Sequence, residues 1–385
     1  MSGIVLSASV RQNLLSLQST ADLLATTQNR LATGNKVNSA LDNPTNFFTA
    51  QGLNNRASDI SNLLDSIGNG VQVLQAANTG ITSLQKLVDT AKSLANQVLQ
   101  APAGYSAKSS TTSATTVGTA ANLVDGTNIA SGDTLTIAAT GGGTATSITF
   151  GASESLDQLN AALAANNVSA SLNSAGKLVF TTTNDAASST LGAVGGTAAA
   201  FTGVAAASAP VADAASQTIR ANLVSQYNNV IQQITTTSQD SSFNGINLLN
   251  GDDLKLTFNE TGKSTLTVKG VTFNAAGLGL ASLVSGTDFL DNASANKALS
   301  LLGAASTTLR TEASALGSNL SIVQLRQDFS KNLINVLQTG ASNLTLADTN
   351  EEAANSQALA TRQSIAVSAL ALANQSQQSV LQLLR

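Results

Sequence analysis

Cysteine, histidine and tryptophan are all absent from these 385 residues. Without cysteine there are no disulfides and no thiolate metal sites. Without histidine the chain lacks the commonest general base and the commonest metal ligand, and most hydrolase and metalloenzyme chemistries fall with them. Charge is scarce too: Asp, Glu, Lys and Arg make up 10% of the chain, against roughly 25% in typical soluble domains. The formal net charge is −4 and no run of Lys or Arg occurs, so the chain carries no electrostatic footprint for nucleic acid. No stretch approaches the roughly eighteen apolar residues of a membrane span, and no membrane partner is expected. The start, Met1-Ser2-Gly3-Ile4-Val5-Leu6-Ser7, lacks a basic n-region and is broken by Arg11 before a signal-length apolar run forms. Export, if it occurs, is expected to use a route without a classical signal peptide.

Aromatic residues reach only 3% although hydrophobic residues reach 42%. Apolar burial must therefore rest on Leu, Ala, Val and Ile, a composition suited to long helices packed along seams. A surface of Ser, Thr, Asn and Gln packs against copies of itself at little desolvation cost.

The seams are explicit. Val10, Leu14, Leu17, Ala21, Leu24 and Leu31 recur alternately four and three residues apart, with Gln28 in one slot. Gly34 is placed to cap that helix, and Asn43-Pro44 reads as an N-cap followed by proline at the first helical position. The next seam runs from Leu53 through Ile60, Ile67, Leu74, Ile81 and Val88 to Leu99, and Ala101-Pro102-Ala103-Gly104 ends it. Asn78, Gln85 and Lys92 occupy polar slots in that register, either to fix pairing or through ordinary tolerance.

From about Tyr105 the composition shifts to Ala, Thr, Ser and Gly and the heptads stop. Leu135/Ile137 and Ile148/Phe150 alternate as strands, Ser155-x-x-Gln158 opens a short helix, and Val168 to Phe180 reads as a hairpin turning at Asn173 to Gly176. The flanks, Ser106 to Ala121 and Thr190 to Ala209, read as loose connectors. Helix resumes over about 212–236, followed by a hairpin turning around Asn259 to Lys263. A third long helix carries one stripe through Leu302, Leu309, Leu316, Val323 and Leu337, and a second through Leu325, Phe329, Leu333 and Val336. Two stripes require two neighbours. A terminal helix is expected after Gly340, opened by a capping box at Thr349-x-x-Glu352 and carrying Leu359, Ala366, Leu370, Ala373, Val380 and Leu384.

The fold expected is mainly α with an α+β insert. The N- and C-terminal segments form a long antiparallel helical hairpin or coiled-coil rod, with a small β-hairpin region and a projecting β-rich central module. No catalytic, cofactor or metal site is expected. Gly141-Gly142-Gly143 lacks the following Lys-Ser/Thr of a phosphate loop, and Asp252-Asp253 with Glu260 lacks the ligand spacing of a calcium loop.

Three stretches, Arg30 to Asp42, Ser242 to Leu249 and Leu370 to Arg385, carry a resemblance to bacterial flagellins. Arg30-Leu31-Ala32-Thr33-Gly34 with Asn38-Ser39-Ala40-x-Asp42 resembles the family's N-terminal motif. Leu370-Ala371-x-Ala373-Asn374-Gln375 with Val380-Leu381-x-Leu383-Leu384-Arg385 resembles its C-terminus. Ser242-Phe243-Asn244-Gly245-x-Asn247-Leu248-Leu249 resembles an internal motif. The chain departs at Asn43-Pro44-Thr45-Asn46-Phe47-Phe48, where many family members carry acidic and small residues, and this form resembles the alphaproteobacterial branch.

The resemblance implies a secreted filament subunit for swimming motility, exported unfolded through the flagellar type III channel. Its implied partners are further copies of itself, other flagellins, an export chaperone, and cap and hook-associated proteins. A hook–filament junction adaptor is the nearest alternative, and a coiled-coil adhesin would need a signal peptide and usually an anchor. The implied division pairs residues 1–42 with 340–385 as an inner coiled-coil domain. Residues 43–104 and 212–339 form a rod with a β-hairpin near 253–274, and residues 105–211 form an outward insert. The assembly interface is expected at Val10, Leu14, Leu17, Leu24, Leu31, Leu370, Val380, Leu381 and Leu384. The resemblance also implies a helix bearing Arg-x-Arg-Glu-Leu that the flagellin-sensing Toll-like receptor reads. The aligned stretch is degenerate, with Lys86, Val88, Asp89 and Thr90 at the four specified positions, so recognition is expected to be weak or absent.

Overall fold

The computed structural model describes residues 8–383 and divides the chain into two compact units. The first comprises Met1–Asn69, Leu256–Leu266 and Ile322–Arg385; the second comprises Gly70–Lys255 and Thr267–Ser321.

In the first unit, α1 (Ala8–Thr33) packs against α6 (Thr349–Leu383). Gly34, at φ +70, supplies the left-handed residue that ends α1. The chain then meets the segment that leads into α6. Lys36 N and Val37 N donate to Thr345 O at 2.6 and 3.2 Å, and Ala347 N donates to Gly34 O at 2.9 Å. Arg30 Nη1 meets Glu352 Oε1 at 3.2 Å across the same junction, so the last turn of α1 lies beside the first turn of α6 and the two helices run antiparallel. Helix α2 (Pro44–Gln100) begins as its sequence dictates, with Asn43 Oδ1 accepting from Asn46 N at 3.1 Å. Its first turns share a small core with the end of α5 (Asn292–Thr345), where Ala57, Ile60 and Leu337 are buried against Leu53, Leu333 and Ile334.

Two expectations are corrected here. Helix α5 does not stop at Gly340 but runs through it to Thr345, because a single glycine costs only about 1 kcal/mol against alanine and the surrounding packing outweighs that. The terminal helix is not opened by a Thr349/Glu352 box. Asp348 Oδ1 caps it, accepting from Asn350 N at 2.9 Å and Glu351 N at 3.3 Å, while the Glu352 side chain is engaged by Arg30.

The second unit holds a β-rich module with its own core. β1 (Tyr105–Ala107) and β8 (Val211–Ala212) pair antiparallel and bring its two ends together. One sheet has the order β2 (Ser110–Thr112), β6 (Leu178–Thr182), β5 (Val168–Leu172), and the other β4 (Thr146–Thr149), β3 (Thr134–Ile137), β7 (Val194–Gly196). Leu135 and Ile137 of β3 face inward and the alternate threonines face out, as a half-buried strand requires. Short helix α3 (Leu156–Leu163) has both bonds of the expected capping box and buries Leu159 and Leu163. Phe150, Phe180 and Phe201 meet at centroid distances of 5.8 and 6.0 Å.

The flanks of this module are not loose connectors. They supply β1, β2 and β7, and Val117, Leu191, Ala198, Ala200 and Phe201 belong to its core. The small residues that read as low complexity serve close packing: a side chain at Gly196 would overlap the Thr134 carbonyl of the paired strand.

Helix α4 (Ala214–Asp240) follows, capped by Asp213, whose carboxylate accepts from Ser216 N at 3.1 Å. It therefore extends four residues beyond the expected end at 236. Strands β9 (Leu254–Thr257) and β10 (Thr265–Val268) then pair as a two-stranded sheet.

Candidate functional site

Apolar surface that the chain itself leaves uncovered is the feature with functional content. In α1, Val10 is buried and Leu17 and Leu24 are half-buried. Leu14 and Leu31 of the same seam remain exposed, and so do Leu15 and Leu23 beside it. In α6, Leu370 is half-buried while Ile365, Val367 and Leu372 are exposed. The side chains of Val380 and Leu381, and all of Leu384, lie outside the described residues. Among the described seam residues of α1 and α6, then, packing within the chain covers some and leaves others open.

The second stripe of α5 is more exposed still. Ile322, Leu325, Phe329 and Val336 form one face at helical spacing, and Leu325 is 74% open. Leu333 is half-buried against the small core of the first unit. Burying one such side chain is worth roughly 1.5–3 kcal/mol, so a face of four has ample driving force to bind something.

Two residues of consequence were not singled out from sequence. Leu41 stands 96% exposed on the loop between α1 and α2. Asp42 orders that loop, its Oδ2 accepting from Asn38 N, Ser39 N and Ser39 Oγ at 3.0, 2.8 and 3.0 Å. The bonds from the Ser39 and Asn38 backbone hold the Asp42 carboxyl below its ordinary range. The sequence signal was Asp42 three residues after Ser39, a spacing that lets a carboxylate close a turn.

The other is Arg220 of α4, only 2% exposed. Its guanidinium reaches the last residues after α2 and the start of α5, donating to Pro102 O at 2.8 Å, Phe289 O at 2.7 Å, Ala101 O at 3.3 Å and Asn292 Oδ1 at 3.4 Å. Burial pulls its pKa down and the nearby Asp291 carboxylate opposes that. Phe289, buried against Tyr227 at 5.8 Å, is a non-glycine residue at φ +63 whose carbonyl Arg220 holds. Asp291 also accepts from Ser188 Oγ at 2.8 Å, which ties the β-rich module to the start of α5. No sequence periodicity flags such an arginine, because its partners, three backbone carbonyls and one asparagine side chain, lie far away in the chain.

The degenerate receptor stretch lies on α2. Lys86, Asp89 and Thr90 are exposed, whereas Val88 is fully buried. Asp89 Oδ1 accepts from Gln85 Nε2 at 3.2 Å and lies 3.9 Å from Lys92 Nζ, and Thr90 Oγ1 donates to Lys86 O at 2.9 Å. Among the described residues there is no group of three or more acidic, His or Cys side chains able to hold a metal, and no helix long and apolar enough to cross a membrane.

Comparison with known proteins gives two family matches, the bacterial flagellin N-terminal helical region over residues 5–130 and the bacterial flagellin C-terminal helical region over residues 299–384. Together these matches cover more than half of the chain. Flagellin FljM of Caulobacter vibrioides is 33% identical over 165 residues, 42% of this chain and 59% of that one. Flagellin FljK of the same organism matches with the same identity and coverage. Flagellin A of Rhizobium meliloti is 35% identical over 115 residues, 29% of this chain and 25% of that one. The chain spans about three fifths of the length of the Caulobacter relatives it matches.

Proposed function

Because the chain belongs to the bacterial flagellin family, in its alphaproteobacterial form, we propose that it is a structural subunit that polymerises into the extracellular flagellar filament. The observation that carries this reading is the incomplete seam. Helices α1 and α6 pack on each other and still expose Leu14 and Leu31 along the α1 seam and Leu15, Leu23, Ile365 and Leu372 beside the seams. A two-helix layer with apolar residues on more than one side is completed only by further helices, and further copies of the same pair supply them. On this reading residues 1–42 and 340–385 form the inner domain of the filament, and Val380, Leu381 and Leu384 join its packing. The module at 105–211 faces outward. Export through the flagellar type III channel, a chaperone, and cap and hook-associated partners follow from the same family reading.

Salt-induced polymerisation followed by limited proteolysis tests it. The first forty or so and last forty or so residues should be cleaved in the monomer and protected in the pelleted polymer, since isolated helices are marginal in water. Equal cleavage in both states would remove these helices from the polymer contacts.

A further inference from the structure

Leu41 is an apolar side chain displayed on a loop whose shape is already fixed. Besides the three bonds to Asp42, Leu41 N donates to Ser39 Oγ at 3.3 Å. Ordering such a loop costs little on binding, which is how an interface anchor differs from a merely exposed leucine. At 96% it is the most exposed of the large hydrophobic side chains described, more so than any on a helix face.

In the second unit, α2 and α5 leave a groove of about 300 Å³ floored by Ile81, Leu309 and Ala313 and rimmed by Lys86 and Arg310. Among the described residues neither cation has a carboxylate at ion-pair distance; Arg310 Nε donates only to Ser306 O, at 3.3 Å. Gln85 completes the rim. Its Nε2 donates to Ser306 Oγ at 2.7 Å, but its Oε1 is buried without a hydrogen-bond partner. The groove therefore lacks an apolar plug, a negative charge and a hydrogen-bond donor. The loop at 38–42 offers each of these. Leu41 is the plug, Asp42 the charge, and Ala40 N–H donates to nothing within the described residues.

We propose that Leu41 of one copy seats in the Lys86/Arg310 groove of a second copy, with the Asp42 carboxylate facing the two cations and the Ala40 amide reaching Gln85 Oε1. This rests on the polymerisation reading and names one contact within it. The two surfaces are different parts of one chain, so the contact is heterologous, and a heterologous contact that does not close generates an open helical array.

The absence of native cysteine makes the test clean. Chains carrying Leu41→Cys together with Ala313→Cys are polymerised, oxidised and run on a non-reducing gel. A disulfide requires the two Cα atoms to come within about 7 Å. A ladder of dimers, trimers and longer species, absent from either single variant, is the expected result. Normal filaments that run as monomers after oxidation overturn the proposal while leaving polymerisation intact, whereas failure of the unaltered chain to polymerise overturns the reading beneath it. Where the cysteine pair itself blocks assembly, Leu41→Ala and the pair Lys86→Glu/Arg310→Glu decide. Each should raise the critical concentration roughly tenfold or more with the monomer's melting unchanged. An unchanged critical concentration in both refutes the contact.

Discussion

Replacing Arg220 by methionine keeps the apolar stem and removes every donor from a buried site. The two short bonds, to Phe289 O at 2.7 Å and Pro102 O at 2.8 Å, carry most of the loss; those to Ala101 and Asn292, at 3.3 and 3.4 Å, carry less. Phe289 O is the one fully buried acceptor and costs roughly 1–3 kcal/mol when left unpaired, and the three part-buried acceptors cost less each, so the loss comes to about 3–5 kcal/mol. For a unit in the 150–250 residue range, 1 kcal/mol moves the midpoint by roughly 2–4 °C, which gives a fall of roughly 6–20 °C. Lysine at the same position, a point charge without the planar fork, should fall between methionine and arginine. The assay is thermal unfolding of the monomer by circular dichroism or calorimetry at neutral pH. A methionine variant melting within about 2 °C of the original chain would show that these bonds contribute little and that the junction is held by packing alone.

Acid should weaken the β-rich module through Asp125. Burial works against its charge, but amides of Ile129, Thr127 and Asn128 and the Asn128 side chain outweigh that and hold its carboxyl well below the ordinary 3.8. A depressed carboxyl contributes stability that is complete above the ordinary value and lost as pH falls below it, so Asp125→Asn should flatten the decline in melting temperature between pH 5 and 2; an unaltered slope would remove Asp125 as its source. Replacing residues 105–211 by a short Gly-Ser linker should leave filaments that are thinner but intact, because Tyr105 and Ala212 are directly paired and the chain can be rejoined there. A folded monomer that fails to assemble would place the module in the polymer contacts instead. In a reporter-cell assay the depolymerised protein should give a weak or absent Toll-like receptor response, and Val88→Arg alone should destabilise the chain rather than restore recognition, since position 88 is buried. Activation at the potency of an enterobacterial flagellin would contradict this.

The helices were legible because their signals are local and repeated. Heptads fix the seams, Gly34 and Asn43-Pro44 fix where α1 ends and α2 begins, and Ser155 with Gln158 fixes the start of α3. The signals failed where a local rule met tertiary packing. Gly340 sits inside α5, and Glu352 pairs with Arg30 instead of capping its own helix. The flanks of the β-rich module were missed because alanine, threonine and glycine carry little periodicity, and their strands are specified by pairing with β3 and β6. Among the candidate assembly residues, seam spacing does not distinguish covered from uncovered positions. Leu14 and Leu17 occupy one seam, yet only Leu17 is partly covered by the packing within the chain.

Electron microscopy of negatively stained protein after salt-induced polymerisation bears most directly on whether this chain is a filament subunit. Long, uniform tubular filaments built from the chain alone are the expected result. Persistent monomers, or short capped assemblies that do not lengthen as protein concentration rises, would contradict it.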